Sequence, residues 1–371
     1  APAVADGHRI TISANYLSFG YQAFFSGIDA VRFDFGQAHA APAQAGGESA
    51  WSTAALIDPA RLPQQWNGEA LWQALPANAA ACATLPVDWN DAAGLLEKLG
   101  PDLAGSAKAL HDHLEGPAAV CWYAASTLAS PVFVARLTKD AMGNAAFSGA
   151  MAQLFDRVIG AYEARAGDSP GYRRLPVQAC KASEGVSCWM RPVSARAGTA
   201  SSRAAPYAEQ LSTPRYFPVT LALAHGYAVF SPDARLVDDT LAVLDKRYPS
   251  EADTLAPQPA RATVAVITPS SLAALAEREA GRTLPADQEA IFRNAARQHL
   301  LPKLHAFAAY APVSLSLPDS PLPSAAGWVP VTWRANAKAG GVPRDDAAMF
   351  PPHRSPVDDS GFGDDAAASE N

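Results

Sequence analysis

The stretch Gly226–Tyr248 constrains the fold most, because its hydrophobic pattern changes period within a few residues. It begins with a short apolar run, Tyr227–Phe230, which is typical of a strand and is followed at once by Ser231-Pro232. Beyond this point apolar side chains recur at the spacing of one helix face, at Val237, Leu241, Leu244 and Tyr248. Serine favours the N-cap position of a helix, and proline favours the first helical position. We therefore predict a strand that runs into an amphipathic helix capped by Ser231.

The same succession of strand, cap, proline and helix recurs twice in the chain. Ala265–Pro269 precedes a helical pattern that includes Leu272, which predicts Thr268 as a second N-cap. Ala55–Pro59 leads to Leu62 in the same way. None of the three turns carries a side chain poised for chemistry, so we interpret them as scaffold that sets helices onto sheets.

Other periodic segments complete an α+β pattern. Strands are predicted at Ala30–Phe35, Trp51–Ile57, Ala81–Val87, Ala118–Ala124, Pro131–Leu137, Tyr216–Ala224 and Gly327–Trp333, and helices at Asn15–Phe25, Asp91–Leu99, Phe147–Ala164 and Asp287–His299. Asp88 is predicted to cap the helix Asp91–Leu99. Because hairpins alternate with single helices, we expect antiparallel sheets with helices packed on one face.

The recurring plan predicts two diverged copies of one α+β unit, residues 1–165 and 172–335. The boundary is placed at Ala166–Pro170, a polar turn-rich stretch. Residues 336–371 are polar and rich in glycine and proline, and we predict that this tail is disordered. A single continuous sheet is the alternative to two copies.

Composition excludes two classes of protein. The net charge is −7 without a basic block, so binding to nucleic acid through a phosphate footprint is not expected. There is no apolar run of about eighteen residues or more, the length needed to span a bilayer. The chain starts at Ala1 without a methionine and without a signal-peptide pattern, so we expect a processed or excised piece of a longer protein.

The four cysteines lack the CxxC spacing typical of zinc sites. If residues 177–193 form a hairpin with a three-residue turn ending at Gly185, Cys180 and Cys188 face each other as a non-hydrogen-bonded pair within reach of a disulfide. Cys82 and Cys121 each lie in an apolar run. The sequence does not decide whether they form a second disulfide or remain two buried thiols. Disulfides favour an oxidising compartment.

Two short motifs resemble catalytic or metal-binding patterns. Gly167–Gly171 matches G-x-S-x-G around Ser169, but a nucleophile elbow needs a strand before the serine, and here a helix precedes it. Within His111–Glu115, only His111 and Glu115 would share a helix face. We interpret the first motif as a polar loop and the second as a surface helix end.

Further polar and aromatic residues have plain structural readings. Asp238-Asp239 fall in the first turns of the predicted helix, where acidic side chains favour the helix dipole, and His225 falls in a turn. Trp122, Trp189, Trp328 and Trp333 lie within alternating strands, so we expect core packing rather than a sugar-stacking surface. The chain has no S-x-x-K, P-loop or G-x-G-x-x-G pattern, so no catalytic, cofactor-binding or metal-binding residue is assigned.

Several segments together resemble the YfaA-type family of bacterial envelope proteins. They are Asn15–Gln22, Arg32–Gly36, Ala74–Asn78, Leu85–Trp89, Gly116–Tyr123 and Phe133–Leu137. The resemblance covers most of residues 8–335 and implies the C-terminal portion of a longer protein with a membrane-proximal start. It also implies a periplasmic location and a gene neighbour that encodes an alpha-2-macroglobulin-like protein, but it brings no active-site residues.

Three functions follow as hypotheses from these observations. The first is a non-enzymatic periplasmic scaffold or accessory module that acts with a protein partner, such as the alpha-2-macroglobulin-like protein. The second is a glycan- or peptide-binding module that uses exposed aromatic side chains. The third is a cell-wall or peptide hydrolase with Ser169 or the pair His111 and Glu115 in its site.

Overall fold

The computed structural model places all of the residues that it describes in one compact unit. It describes residues 8–18, 21–35, 51–62, 66–97, 103–165, 175–180, 185–194, 216–255, 263–283, 294–318 and 322–336. The predicted boundary Ala166–Pro170 and all of the predicted tail except Asn336 lie outside these residues.

Thirteen strands are found in the described part of the chain. They are β1 His8–Ser13, β2 Ile28–Phe35, β3 Trp51–Ile57, β4 Ala81–Leu85, β5 Leu114–Trp122, β6 Val132–Leu137, β7 Gln178–Ala179, β8 Ser187–Ser194, β9 Tyr216–Ala224, β10 Tyr227–Ser231, β11 Thr263–Ile267, β12 Val313–Ser316 and β13 Gly327–Ala335. The sequence-based strands agree with these bounds closely, and Trp51–Ile57 agrees at both ends.

Eight α-helices accompany the strands within the described residues. They are α1 Ala14–Leu17, α2 Glu69–Ala74, α3 Trp89–Glu97, α4 Ala104–His113, α5 Ala145–Arg165, α6 Ala234–Leu244, α7 Pro269–Thr283 and α8 Leu301–Ala308. The predicted helix Asn15–Phe25 is instead α1 followed by a separate 3-10 turn, Gln22–Phe25. The predicted helix end at His299 is wrong, because the chain stays helical there, as a π-helical turn over Ala296–Leu300 that runs directly into α8.

All thirteen strands join one sheet, in the order β1-β2-β3-β13-β12-β11-β4-β5-β6-β10-β9-β8-β7, and every pairing is antiparallel. Strands β4–β6 of the first predicted copy lie between β11 and β10 of the second. The α+β class is therefore confirmed in the arrangement of a single continuous sheet. The relation of the two halves as diverged copies is not confirmed and stays a prediction.

The expectation of helices on one face of the sheet is wrong, because helices cover both faces. On one face, strand residues such as Ala118, Ala135 and Leu221 pack with α3, α4 and α5. Their immediate neighbours Ala119 and Val134 belong to a separate core with α2 and α6. Since successive side chains of a strand point to opposite faces, both faces of the central strands are buried.

Two of the three predicted turn-and-cap sites need correction. Ser231 stays in β10, where its Oγ accepts a hydrogen bond from the Asp233 N–H and donates one to the Pro131 carbonyl. Asp233 is the N-cap of α6, and its side chain accepts a hydrogen bond from the Arg235 N–H. Asp58 closes a turn, in which its carboxylate accepts a hydrogen bond from the Ala60 N–H and its carbonyl accepts one from the Arg61 N–H, and no helix follows within the described residues 58–62.

Thr268 is the site that agrees with prediction. It directly precedes α7, and its carbonyl accepts the hydrogen bond of the Leu272 N–H.

Both pairs of cysteines form disulfides. Cys180 and Cys188 are bridged as predicted, with their Cα atoms 5.2 Å apart. The pair is a hydrogen-bonded one, since the Cys180 N–H donates to the Cys188 carbonyl at 3.0 Å, and the expected non-hydrogen-bonded position is wrong. Cys82 and Cys121 stand opposite each other on β4 and β5 and form the second bridge, which the sequence left open.

Candidate functional site

A polar cleft of about 770 Å³ lies beside the start of α3. Parts of six stretches line it, namely 13–15, 22–29, 60–62, 87–91, His111 and 114–116. Its walls therefore come from the start of α1, the 3-10 turn that follows, the turn after β3, the start of α3 and the junction of α4 with β5. Polar groups from separate parts of the chain converge in this cleft, which is the usual form of a binding site.

The floor of the cleft is organised by Asp88. Its carboxylate accepts hydrogen bonds from the N–H groups of Asn90 and Asp91 at 2.9 and 3.1 Å, so it caps α3 as the sequence predicts. The next residue, Trp89, donates its indole N–H to the Gly116 carbonyl at 2.9 Å. Gly116 has a φ of +66°, a value that favours glycine. Cap and indole together hold α3 against the beginning of β5.

One side wall carries a network of charges around Arg61. The Arg61 guanidinium pairs with the carboxylates of Asp29 and Asp58, the latter at 3.0 Å. The hydrogen bond to Asp29, followed by that to Asp58, raises the pKa of Arg61 above its ordinary value. Because Arg61 is about half exposed, these pairs order the rim more than they stabilise the fold.

The proposed pair His111 and Glu115 does not share a helix face, because α4 ends at His113 and Glu115 belongs to β5. Both residues nevertheless line the cleft. His111 Nδ1 lies 3.1 Å from a carboxylate oxygen of Asp112, and the Glu115 carboxylate accepts a hydrogen bond from Arg136 at 2.8 Å. Both side chains are thus held by neighbours on the cleft rim.

The charge of the cleft is negative overall. Its lining includes four carboxylates, those of Asp29, Asp88, Asp91 and Glu115, against the single guanidinium of Arg61. A cleft lined by one sign of charge concentrates ligands of the opposite sign. In the part of the chain that the structure describes, no group of three or more histidine, cysteine or acidic side chains is placed to hold a metal ion.

The carboxylate of Glu251 is fully buried, and Glu251 is not among the residues that line the cleft. It accepts hydrogen bonds from the Ala79 N–H at 3.0 Å and from the Thr254 hydroxyl at 2.8 Å. Burial raises its pKa from 4.5 to about 7. Nearby, burial and the charge of Glu251 also raise the pKa of Tyr123, whose hydroxyl donates to the Pro76 carbonyl. Sequence reasoning missed Glu251, because a polar stretch after a helix gives no signal of burial.

The other candidate residues keep their structural readings where they are described. Asp238 and Asp239 lie on α6 but in its second turn, because the helix begins at Ala234, and its first turn holds no acidic side chain. His225 has a φ of +51° in the β9–β10 turn, and its Nε2 lies 2.9 Å from a carboxylate oxygen of Asp245. Ser169 and its G-x-S-x-G motif lie outside the described residues.

The four strand tryptophans expected to pack in the core are not fully buried, since Trp122, Trp189 and Trp333 are half-buried and Trp328 is exposed. Trp122 donates its indole N–H to the Leu128 carbonyl, and Trp333 donates to the Thr53 hydroxyl at 2.8 Å. Trp189 packs against the core with α5. Trp328 is the exposed member of the four, at 39%, and the Arg32 guanidinium lies 4.5 Å from its ring centre.

Comparison with known proteins identifies relatives of this chain. Residues 1–333 match the family described as an uncharacterized protein conserved in bacteria, DUF2138. The chain is also 30% identical over 329 residues to the uncharacterized protein YfaA of Escherichia coli (strain K12). The alignment covers 88% of this chain and 54% of YfaA, so the chain spans about half the length of that relative. No solved structure matches. Every helix among the described residues is too short or too polar to cross a bilayer.

Proposed function

This chain belongs to the DUF2138 family of proteins conserved in bacteria, and on that basis we propose that it is a non-enzymatic accessory module of the cell envelope. It works by binding a polypeptide partner in the polar cleft. The observation that carries the proposal is the convergence of polar and charged side chains from six separate stretches on one cleft of about 770 Å³. That volume lies within the range of about 300–1,000 Å³ that is common for ligand sites.

The segments on which the family resemblance rests support the same cleft. Asn15 and Gln22, Asp88 and Trp89, and Gly116 come from three of those segments, and all five line it. The ion pairs of Arg61 with Asp29 and of Arg136 with Glu115 hold the rim in place before a partner arrives. Such preorganisation lowers the entropic cost of binding.

The setting of the proposed module is the periplasm. Two disulfides support an oxidising compartment. The resemblance to the YfaA-type family supplies the remaining elements of the proposal, which are a longer envelope protein of which this chain is the C-terminal portion and an alpha-2-macroglobulin-like protein as the partner.

Site-specific photo-crosslinking in envelope extract tests this proposal. Asn90 is exposed in the cleft and uses only its backbone N–H in the α3 cap, so a benzoylphenylalanine there preserves the cap. Tyr310, 70% exposed and outside the cleft lining, is the matched control. We expect a defined protein adduct from position 90 that is absent from position 310. No adduct from position 90, or the same adducts from both positions, would overturn the proposal.

A hydrolase is the second candidate, and one observation favours it. His111 and Glu115 both line the cleft, although α4, the helix on which they were expected to share a face, ends between them at His113. The engagement of Glu115 by Arg136 counts against its use as a base. His111→Ala should abolish any peptide or cell-wall hydrolysis by the purified chain, and unchanged activity would exclude this candidate.

A further inference from the structure

An apolar cavity of about 220 Å³ lies directly behind the polar cleft. It is a partly open pocket between the sheet and helices α3, α4 and α5, and its walls include Phe24, Leu110, Phe133, Met151, Phe155 and Phe230. An apolar pocket of this size beside a polar cleft offers room for an apolar group of a ligand.

Two side chains, Trp89 and Leu114, line both the cleft and the cavity. They form a wall one residue thick between the two spaces. Trp89 is partly exposed, and its indole N–H donates a hydrogen bond to the Gly116 carbonyl at 2.9 Å. Rotation of this single indole would connect the cleft with the cavity, while the Asp88 cap keeps the backbone of α3 in place.

The two spaces differ in the chemistry that they favour. The cavity is lined by apolar side chains, and an apolar cavity of about 150 Å³ is enough to bind benzene. The cleft presents four carboxylates against the guanidinium of Arg61 and that of Arg136, which engages Glu115, and the negative charge that remains favours a cation. Its volume exceeds that of the cavity more than threefold, so it has room for a segment of chain and not only for one side chain.

We infer that the cleft receives a polypeptide segment in which a basic residue is adjacent to a bulky apolar residue. The basic side chain lies among the carboxylates of the cleft, and the apolar side chain passes Trp89 and fills the cavity. This inference rests on the proposed function, since it names the kind of segment by which the partner is held.

Calorimetric titration with three hexapeptides tests the inference on the purified chain. The probe is Gly-Ser-Lys-Phe-Ser-Gly, and its controls replace Phe by Ala or Lys by Glu. We expect the Lys-Phe peptide to bind about tenfold more tightly than the Lys-Ala peptide, since burial of one aromatic side chain contributes at least that factor. The Glu-Phe peptide should bind more weakly than the Lys-Phe peptide by a similar factor.

A pair of variants locates the apolar subsite. Ala228 is buried and lines the cavity, so Ala228→Met reduces its volume, whereas Leu154→Met changes shape with little change of volume. Ala228→Met should abolish the preference for Phe over Ala, and Leu154→Met should retain it. Circular dichroism checks that both variants fold, and if Ala228→Met does not, the three peptides on the unaltered chain decide.

Equal affinity for the Lys-Phe and Lys-Ala peptides, binding of none of the peptides, or full selectivity in a folded Ala228→Met variant would overturn the inference. These results leave the proposed function standing as long as position 90 still crosslinks to a protein. Loss of that adduct would overturn the proposed function itself, so the two failures are distinguishable.

Discussion

Glu251 Oε2 lies 3.0 Å from the backbone nitrogen of Ala79, and the hydrogen bond between them joins segments 172 residues apart. The same segments are joined by the hydrogen bond from the Glu251 N–H to the Leu75 carbonyl at 2.7 Å. The loop that begins at Leu75 is therefore attached to the segment around Glu251 partly through one buried carboxyl group. Its state of protonation should matter for the whole chain.

The free energy of unfolding should fall as pH rises from about 4.5 to 7. The folded-state pKa of Glu251 is about 7 and its ordinary value is 4.5, so in this window the folded chain keeps a proton that the unfolded chain has lost. The stabilisation is fully present below pH 4.5 and is lost by pH 7, with a total of about 3 kcal/mol. Urea unfolding across this window should show a flatter profile for Glu251→Gln. An identical slope in both proteins would contradict the assignment.

Asp233→Ala should destabilise the chain by about 1 kcal/mol, because it removes the N-cap of α6. Ser231→Ala should cost more, about 2 kcal/mol, since Ser231 is buried and its loss leaves the half-buried Asp233 N–H and Pro131 carbonyl without this partner. Chemical denaturation of both variants gives the order, with exposed Asp140→Ala as the control. A larger loss for Asp233→Ala would speak for helix capping as the main role of this turn.

Removal of the Cys82–Cys121 bridge should cost more stability than removal of Cys180–Cys188. The bridges span 39 and 8 residues of sequence. Loop-closure entropy then predicts losses of about 4 and about 2.5 kcal/mol. Paired alanine substitutions compared by urea unfolding test this order.

Mass measurement with and without reductant should also show a shift of about 4 Da, and a shift of half that value would mean that one bridge is absent in solution.

Arg191→Met should be among the most damaging single substitutions. The Arg191 guanidinium is buried and bonds both the Asp156 carboxylate, at 2.6 Å, and the almost fully buried Glu163 carboxylate. Its loss leaves Glu163 charged and buried, which costs about 3–5 kcal/mol.

The double variant Arg191→Met with Glu163→Met should recover a large part of that loss, because it removes the unpaired charge as well. Equilibrium denaturation of the single and double variants measures the recovery. A double variant as unstable as Arg191→Met alone would show that packing, not charge burial, sets the penalty.

Local structure was predictable where the signal is local. The strand Trp51–Ile57 and the helix around Phe147–Ala164 follow from periodicity alone. The packing of helices on both faces of the sheet could not be predicted from the sequence. A run such as Val132–Leu137 indicates that a strand is buried, but it does not indicate which elements cover it. The interleaved strand order depends on pairings between distant segments, which no local pattern encodes.

The candidate site was predictable only in fragments. Asp88 was recognised as a helix cap, and His111 and Glu115 were singled out for a helix face that does not exist. Their meeting with Asp29 and Arg61 in one cleft depends on the sheet bringing together the start of β2, the turn after β3 and the start of β5. Because those contacts are non-local, the cleft had no sequence signature.

The most direct test of the central claim is competition for the crosslink at position 90. The partner adduct from benzoylphenylalanine at Asn90 is measured in envelope extract with increasing Lys-Phe hexapeptide, and with the Lys-Ala hexapeptide as the control. If the cleft and the cavity behind Trp89 hold the partner, the Lys-Phe peptide abolishes the adduct at concentrations where the Lys-Ala peptide leaves it intact. An adduct of unchanged yield in the presence of saturating Lys-Phe peptide would contradict the account.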